Sequence, residues 1–153
     1  MRRVLLAFVV VLGAAVVSAQ TDPAVGTWKL NTAKSKYDPG PVPKSNTIVI
    51  AMAGPAMKVS AKGTDAEGKP TSADYTVAFD GKDVPVTGQP AYDMTSAKRI
   101  DANTTELTRK KAGKVVQTAK RAISSDGKTM TVTTTGTDEK GRKINNVGVF
   151  DKQ

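Results

Sequence analysis

The 153-residue chain contains no histidine and no cysteine. Its chemistry is therefore confined to arginine, lysine, tyrosine, hydroxyls, amides and carboxylates. Zero cysteine removes disulfides, thiolate metal sites, iron–sulfur clusters and a thiol nucleophile. Zero histidine removes the commonest general base, the commonest transition-metal ligand and the usual haem ligand. The carboxylates do not make up the loss. Asp74, Asp93 and Glu106 are the acids well inside segments of strand length, and each is isolated in sequence, so no acid/base pair can be argued. Asp65, Asp80, Asp126 and Asp138 stand in turns, each followed by Lys or Arg, without the ligand density of a calcium loop. Serines are plentiful but lack a recognisable base or an elbow motif. The expectation is a protein with no catalytic residues, no metal and no cofactor.

What remains is recognition. Arg121, with Arg99 as second choice, is a candidate to lie inside the fold and pair with a ligand anion. A buried guanidinium is costly unless paired, so an inward one is informative. The competing reading leaves Arg121 on a wet face, where arginine usually stays. Tyr75, Phe79, Tyr92, Met94 and Phe150 are candidates to line a pocket, and equally candidates for ordinary core. The formal net charge is +9, spread along the chain with no dense basic block and almost no aromatic interleaving. That suits a solvated surface, or weak attraction to anionic envelope polymers or lipid headgroups. Nucleic acid is not an expected partner, because no stacking platform is present.

The first residues read as an address. Arg2 and Arg3 precede an apolar run over 4–17, and Val17 and Ala19 occupy the pocket positions of a cleavage site after Ala19. The run is short for ~30 Å of hydrocarbon. The expectation is a signal peptide over 1–19 and a single domain over 20–153. The protein would be bacterial, exported to the periplasm or secreted, with no integral membrane segment after cleavage, and a monomer.

The rest of the chain must supply strands. After residue 19, leucine occurs only at Leu30 and Leu107, whereas threonine and valine are abundant. Side chains stiff at χ1 favour pleated sheet, and no stretch sustains a 3.6-residue apolar period. Turn signals rich in Asp, Asn and Gly recur at 65–69, 80–82, 88–90, 101–103, 112–114, 125–128 and 138–141. Between them lie segments 25–31, 46–53, 56–63, 71–79, 82–87, 92–101, 104–111, 114–124, 127–136 and 143–151. Alternation is legible in several. Met57, Val59 and Ala61 share a face opposite Lys58, Ser60 and Lys62; Ala73, Tyr75, Val77 and Phe79 share another; Met130 and Val132 oppose Thr129, Thr131 and Thr133. The fold class is all-β: an up-and-down antiparallel barrel of eight to ten strands, closed because an open meander would leave adhesive edges. Only six aromatic residues follow residue 19. So sparse a supply of bulk can leave a barrel of this size part-empty, with room for a ligand; the competing reading is a compact barrel filled by Ala, Val and Thr.

The most specific local signal is Val25-Gly26-Thr27-Trp28-Lys29-Leu30. An indole on the first strand can seal one barrel end as a structural plug, and Gly26 would let another backbone approach. This opening resembles the first strand of the calycin superfamily, the lipocalins and intracellular fatty-acid-binding proteins. The turns Gly113-Lys114 and Asp126-Gly127-Lys128 within 111–133 look like the late hairpins of the fatty-acid-binding branch, and Val149-Phe150-Asp151-Lys152 like its closing strand. Overall the chain is similar to small exported bacterial lipocalin-like proteins. The resemblance implies a barrel holding a small apolar or amphipathic molecule. Departures accompany it. The branch's Arg-x-Tyr carboxylate anchor falls at Gly148 and Phe150. Its interior arginine falls at Lys120 or Arg121. Its two capping helices would fall where 37–45 carries Pro39, Gly40, Pro41 and Pro43, which no ordinary helix tolerates.

Two functions compete. One is an extracytoplasmic carrier with a ligand in the barrel. The other is a non-enzymatic envelope interaction or scaffold protein that works through its basic surface and holds nothing inside.

Overall fold

Period-two alternation and dense turn chemistry produce ten strands, seen in a computed structural model that describes residues 21–153. The expected signal peptide, 1–19, lies outside the described residues. The strands are β1 (Gly26–Leu30), β2 (Ser45–Ala53), β3 (Ala56–Thr64), β4 (Pro70–Val77), β5 (Val84–Pro85), β6 (Met94–Asp101), β7 (Thr104–Lys111), β8 (Lys114–Ile123), β9 (Thr129–Thr137) and β10 (Lys143–Lys152). Their order in the sheet is β4-β3-β2-β1-β10-β9-β8-β7-β6-β5, with every neighbouring pair antiparallel. First and last strands pair through Trp28↔Lys152 and Leu30↔Phe150, which rolls the meander into a barrel.

Closure is nearly complete. The two free edges, β4 and β5, meet at a seam where Asp74 and Thr87 exchange two backbone hydrogen bonds of 3.1 Å each. Beside it, Gly81 N–H donates to the Ala97 carbonyl at 3.1 Å, so the connecting loop leans on β6. The strand expected over 82–87 shrinks to two residues because Pro85 has no N–H to give a ladder. The described residues therefore form ten strands rather than eight, one of them vestigial.

Among the described residues there is no helix. The proline-bearing connection between β1 and β2 instead continues the β1 ladder. Lys36 N–H donates to Val147 O at 2.8 Å, Val147 N–H returns a bond to Lys36 O at 2.7 Å, and Asn145 N–H reaches Asp38 O at 2.7 Å. Tyr37 is thereby fixed beside β10.

The two barrel ends differ. Trp28, Ile50, Met57, Val77, Leu107 and Met130 are fully buried and fill the end that holds the 54–55 and 124–128 turns. Trp28 is 0% exposed, and its indole N–H donates to Ala24 O at 2.8 Å. The Lys152 ammonium stands 5.1 Å from the ring centroid. Gly26 serves differently from the expectation. Its φ is +139°, and an added Cβ would press on the Lys152 side chain, 2.8 Å from Cε, rather than on another backbone. Backbone conformation is what asks for glycine here.

Candidate functional site

The end opposite Trp28 is hollow. A cavity of about 250 Å³ opens between β2, β3 and β4 on one side and β7 to β10 on the other. Ile48, Val59, Ala61, Ala73, Val132 and Phe150 give it an apolar wall. Tyr37, Asn46, Gln89, Thr134 and Asn146 add hydroxyls and amides. Gly148 helps to shape it, because a Cβ there would crowd the Phe150 ring and the Tyr37 hydroxyl.

Arg121 on β8 is 4% exposed and lines the cavity. Its Nη2 donates to the Tyr75 hydroxyl across the barrel at 3.2 Å, and its Nη1 lies 3.1 Å from Met57 Sδ. Its Nε, cut off from solvent, has no hydrogen-bond partner among the described residues. The reading that left Arg121 on the wet face is overturned: strand parity turns Arg121 inward and Lys120 outward.

Arg109 on β7 is a second arginine on this wall, and sequence reasoning missed it. Its Nη1 donates to Gln117 Oε1 at 3.0 Å, while Gln117 Nε2 donates to Thr137 O at 2.9 Å. Its guanidinium stacks on Tyr92, 4.6 Å from the ring centroid. The available signal was parity with Leu107, two residues earlier on the dry face of β7. Burial raises the Tyr37 and Tyr92 hydroxyl pKa values, and the nearby Arg109 charge partly offsets that rise in both. Both tyrosines are therefore neutral hydrogen-bonding groups at ordinary pH.

Of the residues expected around a pocket, Tyr75, Tyr92, Arg121 and Phe150 come together on the cavity wall. Phe79 and Met94 do not. β4 ends at Val77, so Phe79 lies past the strand, half-buried beneath the Arg99 guanidinium at 3.9 Å. On β6, Thr95 and Ala97 turn inward, which puts Met94 on the other face. Arg99, the second-choice anion partner, is ion-paired with Asp22 and lies off the cavity. Among the described residues, no group of acids is placed to hold a metal ion.

No family model and no curated protein matches the chain. Solved structures do. A zebrafish ileal bile acid-binding protein complexed with cholic acid is 12% identical, with a TM-score of 0.51, over 86% of this chain and 99% of that one. Rv2717c from M. tuberculosis is 13% identical, with a TM-score of 0.55, over 86% and 93%. At such identities the likeness is one of backbone architecture, and in architecture the described residues form a calycin-like barrel of ten antiparallel strands, nearly closed and, among those residues, without helices.

Proposed function

We propose that the protein binds a small amphipathic molecule inside its barrel, with the ligand's anionic group held by Arg121. The observation that carries this is a guanidinium 4% exposed, with an unpartnered Nε, on a cavity to which the described residues contribute no carboxylate. A charge so placed costs folding energy unless something neutralises it. An apolar wall beside it suits the rest of an amphiphile. The bile acid-binding neighbour, solved with cholic acid, supports the reading by showing a similar barrel with a ligand of this kind. The cavity is at or below the small end of ligand pockets, which favours a short, slender molecule.

The role is binding without catalysis, a reading supported by a sequence free of histidine and cysteine. It is also a role outside the cytoplasm, supported by the composition of 1–19.

The test is Arg121→Met, titrated with decanoate by calorimetry and unfolded in urea. Removing an unpaired buried charge is expected to leave stability unchanged or raised, while decanoate affinity falls about tenfold or more. Equal decanoate affinity in the variant and the parent protein would refute the anchoring role.

A further inference from the structure

Three arginines, Arg99, Arg109 and Arg121, stand on the interior face of three consecutive strands. Arg99 pairs in register with Thr105, which pairs with Arg121; Arg109 pairs with Gln117, four residues before Arg121. The chain neutralises one of them itself. Asp22 folds back onto Arg99 and forms an ion pair that is largely shielded from solvent. The other two line the cavity and receive nothing comparable. Arg109 is met by a neutral amide and an aromatic face, Arg121 by a neutral hydroxyl and a thioether. Two acids beside Arg109's strand are directed at its lysines: Asp83 at Lys110, 2.6 Å away, and Asp93 at Lys111, 3.9 Å away. The two cavity arginines also act on one group, since both charges lower the burial-raised pKa of the Tyr92 hydroxyl. A monoanion on Arg121 would leave Arg109 uncompensated beside it.

We propose that the preferred ligand is a small dianionic amphiphile, one negative charge held by Arg121 deep in the barrel and the other by Arg109 nearer its open end. This rests on the function proposed above and narrows its ligand class. Four residues of strand separate Arg121 from the partner of Arg109, a run of about 13 Å between backbone positions, from which both side chains converge on the cavity. That span accepts charges at the two ends of a short chain. Convergence of the two guanidiniums also accepts both charges on one phosphate monoester.

Calorimetric titration at pH 8 with decanoate, decanedioate and decyl phosphate separates these cases. The parent protein is expected to bind at least one dianion about tenfold more tightly than decanoate, the effect of one added charge-assisted contact. Which dianion gains reports whether the two charges lie at opposite ends or on one group. Arg109→Met is expected to abolish that gain, bringing the affinities for the dianion and for decanoate within about twofold of each other; Arg109→Gln serves the same purpose if the Met variant does not fold. Equal affinity of the parent protein for all three ligands would overturn the dianion inference while leaving the amphiphile reading standing. So would a gain that survives in the Arg109 variant. Failure of all three to bind would overturn both.

Discussion

Trp28 and Arg121 are both almost wholly buried, yet only Arg121 lines the cavity. The indole fills the packed end and is absent from the cavity wall. Trp28→Ala is therefore expected to cost about 3–5 kcal/mol in urea unfolding, through lost burial and an unfilled space. Trp28→Phe, which keeps most of the packing, should bind decanoate as the parent protein does. A large loss of affinity in that folded variant would show that the indole reaches the ligand after all. The burial of Trp28 agrees with its place on the first strand. The inward orientation of Arg121 was only half legible. A one-residue offset at a turn exchanges inward for outward, so Lys120 and Arg121 could not be told apart until the register with β7 and β9 was known.

At the scale of the element, the same hairpin end is built twice. Asp65 and Asp138 each accept the backbone N–H of the residue four later, Lys69 at 2.7 Å and Arg142 at 2.9 Å, and each receives the N–H of Gly68 or Gly141 on its own carbonyl. Two residues before each Asp stands a glycine with no room for a side chain: a Cβ on Gly63 would strike the Ser45 carbonyl, and one on Gly136 the Val116 carbonyl. Gly136 also has φ +134°. Gly136→Ala thus combines backbone strain with a backbone collision and should cost about 3 kcal/mol or more. Gly113→Ala, at φ +78° with open space around it, should cost only about 1 kcal/mol. Chemical denaturation of the pair checks the contrast, and equal losses would show that conformation alone sets the penalty. The repeated Asp-x-x-Gly-basic turns announced these hairpins in the sequence. The shrinkage of β5 was also foreshadowed by Pro85, although the segment around it had the composition of a strand.

For the whole molecule, closure is uneven. β1 and β10 are joined by a ladder, whereas β4 meets the segment just after β5 through one bridge at Asp74 and Thr87, supported by the Ser72 hydroxyl donating to Gly88 O at 3.3 Å. Few hydrogen bonds per unit length mean a low free energy of local opening. Hydrogen exchange followed by NMR should find the Asp74 and Thr87 amides at least about a hundredfold less protected than the ladder amides of β8 and β9. Equal protection would mean that the seam opens only with global unfolding. The seam flanks the cavity, because Ser72, Ala73 and Tyr75 on one side and Gln89, Ala91 and Tyr92 on the other all line it.

Composition, alternation and turn chemistry by themselves determined the all-β class, the sequential up-and-down order of the strands and the strand that opens the barrel; the choice of ten strands over eight came from the structure. These properties are local: each depends on residues within a few positions of one another. Tertiary structure alone decided that Arg109 and Arg121 share a cavity, that Asp22 is spent on Arg99, and that Phe79 and Met94 stand outside. Those outcomes depend on register and on contacts between segments up to 77 residues apart. No local pattern encodes them, since a slip of one residue carries a side chain from the interior to water.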